Sequence, residues 1–452
     1  MVALIVRLLW RRPARLVSLS FVSVALAGAV LLSLPAATAA GVPLPFGDAL
    51  FTAVSAVCVT GLIVVDTATV FSPFGQGVIL LLIQIGGLGI MVFTMATVFL
   101  VRKRFSLGEA ELLSFMLSEN NYSALGVQLR RVLSVTVGFE LAGAVVLAAA
   151  MYSHADGVLQ AAWYGLFHAV SAFCNAGFAL FSDSLERFVN APAVNLTVMV
   201  LIVAGGIGFG TIAVLRGEAH RTFRFGRLRP PRSLSARVAI YGTGILIVSG
   251  AILIYLIEGR RSLADMTLPE KYLAAIFQSV TLRTAGFNTV PFGALNRATL
   301  LVMIPFMFIG AASGGTAGGV KIGTAAALFA DFRRFFTRRR DARIFNRRLA
   351  GRLITQAMVL VVSGVSVALA ATIVLAITEE AALEVVMFEV VSALGTVGLS
   401  AGLTPRLSDA GRVVVMLLMF VGRLGPLTLL AAFRPERGGV DIRVPEGVLT
   451  IG

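Results

Sequence analysis

The chain has 452 residues, of which 58% are hydrophobic and 13% charged. Soluble globular proteins carry about 25% charged residues, so this composition excludes a soluble enzyme or binding module and points to an integral membrane protein. The formal net charge of +15 is carried mostly by arginine. No aromatic residues interleave a basic face as stacking modules require, which argues against a nucleic-acid partner.

A hydrocarbon core of about 30 Å needs about 20 apolar residues per helix. Windows of that kind lie at 16–34, 76–101, 132–152, 193–215, 237–257, 298–330, 353–377 and 411–432, giving eight spanning helices. The first is preceded by Arg7, Arg11, Arg12 and Arg15 and followed by Ala37-Thr38-Ala39, which resembles a secretory signal with its cleavage site. The run is longer than a signal core, so it reads as a retained span. Further arginines cluster at 102–104, with Lys103, at Arg130 and Arg131, across 216–237 and 333–352, and at Arg434 and Arg437. The alternate connections have few cations. That asymmetry puts both termini in the cytoplasm of a multi-pass protein of the inner (plasma) membrane. The basic loops at 216–237 and 331–352 read as topology signals that also contact membrane lipid headgroups, with a share left for docking a partner.

After the first span, 46–57 reads as a helix too short to cross a bilayer. It runs into a turn at Thr60-Gly61. The stretch FGDALFTAVSAVCVTGL at 46–62 has three counterparts, at 162–178, 271–287 and 383–399. Aligned without gaps, all four place glycine at one position: Gly61, Gly177, Gly286 and Gly398, at intervals of 177−61=116, 286−177=109 and 398−286=112. A fixed period signals repeated supersecondary units. Each reads as spanning helix, half-length helix, glycine turn and second spanning helix. The boundaries are 1–106, 107–220, 221–335 and 336–452. The expected fold is therefore all-α, with eight spanning helices and four re-entrant half helices around a central pore. Ser55, Ser171 and Ser392 lie six residues before three of the glycines, and Phe51, Phe167 and Phe388 ten before. The third repeat departs, with Val280 and Ile276 there and Arg283 three before its glycine. Arg283 is expected to point behind the turn into an outer-face hydrogen-bond network.

Non-helical backbone at membrane depth is tolerated only inside protein or along a water-filled cavity. The four turns, Val59-Thr60-Gly61-Leu62, Asn175-Ala176-Gly177-Phe178, Thr284-Ala285-Gly286-Phe287 and Thr396-Val397-Gly398-Leu399, offer no titratable group. They offer backbone carbonyls, and glycine permits the positive φ that turns them toward an axis. Rings of such oxygens replace an alkali ion's hydration shell. Each half helix also aims the negative end of its dipole at the membrane centre. The expected ligand is a monovalent metal cation held by carbonyls.

The second helix of the third unit is interrupted at 310–321, where Gly310, Gly314, Gly315, Thr316, Gly318, Gly319 and Lys321 fall in one small-residue run. Val320 separates Gly319 from Lys321, which breaks a phosphate-loop pattern. Helix packing through small residues is the competing reading. Glycines recur at similar depth elsewhere, at Gly86-Gly87, Gly205-Gly206 and Gly422, but only 310–321 reads as a long loop. Arg423 lies inside an apolar span, where arginine rarely faces lipid. It is expected just under the turns, near the glycine-rich loop, where its charge opposes cations. Glu140 is buried in another span and is expected to pair with a neighbouring helix. Cys58 and Cys174 occupy matched positions behind the turns, where packing is a better reading than a disulfide or a redox role. His154, His168 and His220 do not form a metal site, and no residues at depth suggest an enzyme. An alternating-access cation carrier is the alternative, but such carriers often show inverted repeats, whereas these run parallel.

At these residues the chain resembles the Trk/Ktr/HKT superfamily of potassium transporters, most closely the Ktr membrane subunits. Arg-Thr-Ala-Gly-Phe in the third turn and Gly-Thr-Val-Gly-Leu in the fourth carry the resemblance. It implies a K⁺-selective filter, with Gly61 favouring K⁺ where relatives with serine there conduct Na⁺. It also implies that loop 310–321 and Arg423 form a gate. It further implies a homodimer on a KtrA-like cytoplasmic ring of nucleotide-binding subunits, so that ATP or ADP binds the partner and this chain holds no cofactor. The apolar tail at 444–452 is expected at the dimer interface.

Overall fold

The structure is a computed structural model that describes residues 13–100, 125–225 and 233–425. The tail at 444–452, both termini, and Arg7, Arg11, Arg12, Arg102, Lys103, Arg104, Arg434 and Arg437 lie outside the described residues, as do 226–232 in the basic loop.

The described chain is mostly helical. In order, the helices are α1 (Pro13–Leu32), α2 (Phe46–Val57), α3 (Pro73–Leu100), α4 (Leu125–Ala150), α5 (Val158–Phe173), α6 (Pro192–Gly206), α7 (Phe209–Phe225) and α8 (Leu234–Glu258). They continue as α9 (Leu268–Thr281), α10 (Arg297–Phe308), α11 (Ile322–Phe336), α12 (Gly351–Thr378), α13 (Leu383–Gly395) and α14 (Asp409–Leu424). A two-stranded hairpin, β1 (Arg343–Ile344) with β2 (Arg347–Arg348), joins α11 to α12.

Among the described residues, three helices are long and apolar enough to cross a membrane: Arg130–Ala150 within α4, then α8 and α12. At 1.5 Å per residue, the 25 residues of α8 span about 37 Å. The helices α6 and α7 are long and apolar enough only as a pair, bent by 101° at Ile207-Gly208. The uninterrupted span expected at 193–215 is thus broken. Gly208 has φ +88°, and the Phe209 N–H leaves the helix to bond Gly314 O at 3.0 Å. The window at 298–330 is two helices, α10 and α11, parted by 309–321, in line with the interruption expected at 310–321.

Helices α2, α5, α9 and α13 have 12, 16, 14 and 13 residues, about 18–24 Å each, short of a hydrocarbon core. Their starts suit the helix dipole. Asp48, Glu270 and Glu384 sit in the first turns of α2, α9 and α13, and Glu270 closes a capping box with Thr267. Each short helix packs on the long helix before it and on an element from the preceding part of the chain: α5 on α3, α9 on α6, and α13 on α10. The last described helix, α14, lies on α2, so the succession closes on itself.

Polar ties in the connections after the turns and at the amino ends of the short helices follow the same succession. Ser182 bonds Asp66, Asn288 Nδ2 donates to Glu186 Oε1 at 2.7 Å, Arg297 pairs with Glu384 at 3.0 Å, and Arg412 pairs with Asp48 at 2.8 Å. Burial, then neighbouring Asp183, raise the Glu186 carboxyl above its ordinary range, and the Asn288 bond partly offsets this. Glu258 and Glu379, at the ends of α8 and α12, cap the starts of α10 and α14. Glu258 accepts from Asn296 N (2.9 Å) and the Thr299 hydroxyl, and Glu379 from Ser408 N (3.0 Å) and Oγ (2.5 Å).

Candidate functional site

Each short helix ends in the same way, and the sequence explains why. The chain turns left-handed two residues before each glycine: φ is +53° at Val59, +60° at Asn175, +65° at Thr284 and +49° at Thr396. It turns left-handed again at the glycine, with φ of +93°, +73°, +78° and +90° at Gly61, Gly177, Gly286 and Gly398. Three of the four ends are Schellman closures. The N–H before the glycine bonds the carbonyl of the serine six before it: Thr60 to Ser55 at 2.8 Å, Ala176 to Ser171 at 2.7 Å and Val397 to Ser392 at 2.7 Å. The hydroxyls work on the same turns. Ser55 Oγ accepts from Gly61 N at 3.1 Å, and Ser171 Oγ donates to Phe178 O at 2.8 Å.

The third end differs as its sequence does. Val280 cannot supply a hydroxyl. Ala285 N bonds Thr281 O at 2.9 Å, and Thr281 Oγ1 donates to Phe287 O at 2.6 Å, taking the part of Ser171. Phe51, Phe167 and Phe388 are fully buried, while Ile276 is 40% exposed and Phe277 takes the buried place.

The four turns meet. A Cβ added to Gly61 would strike Ala176 O and lie 3.1 Å from Gly177 Cα. On Gly177 it would lie 2.8 Å from Ala285 O, and on Gly286 2.8 Å from Val397 O. On Gly398 it would strike Thr60 O. Each glycine thus abuts the carbonyl preceding the next glycine, and the fourth returns to the first. Every other residue of the four turns (Val59, Thr60, Leu62, Asn175, Ala176, Phe178, Thr284, Ala285, Phe287, Thr396, Val397 and Leu399) is at most 1% exposed.

The segment 310–321 crosses at the carboxyl ends of the short helices. It closes on itself as Gly310 N donates to Val320 O (2.9 Å) and Val320 N to Phe308 O (3.0 Å). Its N–H groups at Ala312 and Thr316 donate to Gly206 O and Gly205 O, both at 3.1 Å. Side chains at Gly315 or Gly318 would strike backbone, Gly205 O and Gly206 O for the first and Gly395 O for the second. Gly314 and Gly319 have φ of +77° and +67°. Lys321 precedes α11 and donates to Ala317 O at 2.6 Å.

Arg423, 7% exposed on α14, reaches this segment from the other side. It donates to Thr316 O, and to Gly86 O on α3 at 2.5 Å. Gly86 in turn lies against Val57 O, the end of α2. Arg423 therefore fastens the segment to α3.

Arg283 lies behind the turns, as expected, but not in an outer-face network. Its Nη2 donates to Phe306 O (2.5 Å) and Ile309 O (2.7 Å), carbonyls freed where α10 breaks. The break removes their helical partners, and a buried carbonyl needs a donor. Glu140 pairs across helices, accepting from Gln84 Nε2 at 3.2 Å, with Cys174 Sγ 3.9 Å away. Cys58 and Cys174 are buried free thiols. No cluster of metal-ligating side chains occurs among the described residues.

Sequence reasoning found the glycines, the interrupted helix and Arg423. It missed the left-handed residues at Val59, Asn175, Thr284 and Thr396, three of which are β-branched and so argue against a left-handed backbone. For three of them the readable signal was the serine six before the glycine, whose carbonyl takes the closing helix-end bond; the third turn has Val280 there and lacks it.

The family model for TrkH, described as a cation transport protein, matches residues 15–438. The chain is 36% identical to Ktr system potassium uptake protein B of Bacillus subtilis, over 97% of each chain. It is 34% identical to potassium/sodium uptake protein NtpJ of Enterococcus hirae, again over 97% of each. Its fold matches the crystal structure of the potassium transporter TrkH from Vibrio parahaemolyticus with a TM-score of 0.72 at 19% identity, covering 93% of this chain and 84% of that one. The chain is a multi-pass membrane protein and belongs to the TrkH family of cation transport proteins.

Proposed function

We propose that this chain is the ion-translocating membrane subunit of a K⁺ uptake system. The ion passes through a filter of backbone carbonyls at 59–62, 175–178, 284–287 and 396–399. The observation that carries this reading is the closed succession of four left-handed turns, each with its glycine against the carbonyl that precedes the next glycine. Alternating left- and right-handed residues turn successive carbonyls the same way, as replacing an ion's hydration shell requires. The four units at 1–106, 107–220, 221–335 and 336–452 surround one pore. Each contributes two spanning helices and a half helix.

The segment 310–321 and Arg423 form the gate below the filter. Arg423 and Lys321 place positive charge on the cation's path, and moving the segment opens it. The names of the relatives support potassium as the cargo, and one of them adds sodium. The Ktr likeness supports a homodimer in the plasma membrane with cytoplasmic termini, on a KtrA-like ring that binds ATP or ADP; this chain holds no cofactor.

The test is K⁺ and Na⁺ uptake by the purified chain in proteoliposomes. Uptake that favours K⁺ supports the filter. Uptake without preference refutes it, and a flux that saturates and is driven by a counter-ion gradient favours an alternating-access carrier instead.

A further inference from the structure

The turns and the segment below them are joined by side chains at positions that the glycine pattern leaves unexplained. Asn175 is two residues before Gly177, fully buried, with its backbone left-handed. Its Oδ1 accepts from the Thr316 hydroxyl at 3.0 Å, and that hydroxyl also lies 3.0 Å from Phe173 O. Its Nδ2 donates to Arg283 O at 3.2 Å, in the neighbouring turn. Thr284, two residues before Gly286, accepts through Oγ1 from Gly318 N at 3.2 Å. The other two positions are not joined in this way. Val59 has no polar side-chain atom, and Thr396 packs on Gly318 with its hydroxyl making no hydrogen bond.

We infer that Asn175, Thr284 and Thr316 latch the segment 310–321 to two of the four turns, so that the position of the gate sets the ion preference of the filter. This rests on the filter-and-gate reading above. The residue two before each glycine is the one whose left-handed backbone aims the carbonyls that follow. In the second and third turns its side chain is held by the segment. When the segment leaves, Asn175 and Thr284 each lose a buried partner, and a buried polar group without a partner rearranges to find one. Those two strands then lose their fixed carbonyl positions, while the first and fourth keep theirs. Opening and selectivity are therefore coupled through two strands only. Asn175 and Thr316 are positioning residues; neither side chain has to touch the ion.

The experiment compares wild type, Thr316→Val and Thr316→Ser in proteoliposomes, measuring K⁺ flux and the K⁺/Na⁺ uptake ratio. Valine keeps the volume and removes the hydroxyl; serine restores it. Thr316→Val is expected to raise K⁺ flux and to lower the ratio about fivefold, which is about 1 kcal/mol at 1.4 kcal/mol per tenfold. Thr316→Ser is expected to keep the wild-type ratio. If flux rises and the ratio holds within twofold, gate and filter are independent and the inference is overturned. If neither changes, the hydroxyl is no latch and it is equally overturned. Should the valine variant fail to fold, Thr316→Ala is read by the same two criteria. A wild type without K⁺ preference refutes the filter itself, which separates that failure from failure of the latch.

Discussion

Gly61 offers a direct test of the ring, and Gly41 provides its control. Both have positive φ, +93° and +67°. An L-residue in that region costs about 1–2 kcal/mol. Around a Cβ on Gly41 nothing lies within 4 Å, so Gly41→Ala carries the backbone cost alone. A Cβ on Gly61 also strikes Ala176 O and meets Gly177 Cα at 3.1 Å. The Ala176 carbonyl must move by most of an ångström, and overpacking of this kind costs about 1–3 kcal/mol. Gly61→Ser is thus expected to destabilise by about 2–5 kcal/mol in all. The displaced group is an oxygen that the proposed filter aims at the ion. If only 1.4 kcal/mol of that cost falls on K⁺ and not on Na⁺, the K⁺/Na⁺ uptake ratio drops about tenfold. The assay pairs thermal unfolding in detergent with uptake in proteoliposomes. Gly41→Ala should lower Tm slightly and leave the ratio at the wild-type value. A Gly61→Ser protein that folds and transports with an unchanged ratio would refute both the ring geometry and the filter.

The proposed gate makes its own demands. Arg423→Gln removes the donors to Thr316 O and Gly86 O, and K⁺ flux through the purified chain should rise severalfold; unchanged flux would remove Arg423 from the barrier. Deleting 312–318 should raise flux further, because it removes the N–H groups that fix the segment to Gly205 O and Gly206 O. The pair between Arg412 and Asp48 is half-buried, with side chains 27% and 18% exposed, and joins α14 to α2. Arg412→Ala should therefore lower stability by about 1 kcal/mol, more than the median surface pair. The Arg412→Ala and Asp48→Ala effects should be non-additive in a double-mutant cycle read by Tm.

Hydropathy made the long helices α4, α8 and α12 legible, because each carries its own apolar run. The breaks were harder. At 310–321 many small residues fall together, and the interruption was plain. At Ile207-Gly208 two residues suffice, and the preceding pair Gly205-Gly206 resembles Gly86-Gly87, which stays inside α3. What separates them is tertiary. The Phe209 N–H and the carbonyls of Gly205 and Gly206 have partners on the segment below, whereas the carbonyls of Gly86 and Gly87 face Arg423. Arg283 shows the same limit. Its burial was readable, but its acceptors exist only because α10 stops at Phe308. The glycines of the turns were readable because close backbone approach tolerates nothing larger.

The residues two before those glycines raise the question of what holds them. A left-handed backbone is a genuine outlier for β-branched residues, and three of the four, Val59, Thr284 and Thr396, are β-branched. Each such conformation costs about 1–3 kcal/mol and persists only when its surroundings over-determine it. Glycine at these places would relieve the strain, yet glycine also leaves the backbone free to take other conformations. The observed choice trades stability for definition. The helix-end hydrogen bonds fix one side of each turn, and the neighbouring turn fixes the other, since every ring glycine leans on the next strand. No strand can relax alone without moving the one beside it. For the proposed filter, a cage of oxygens that fits one ion and not a smaller one, rigidity of that kind has a use, and local strain is tolerable because closure distributes it over four strands.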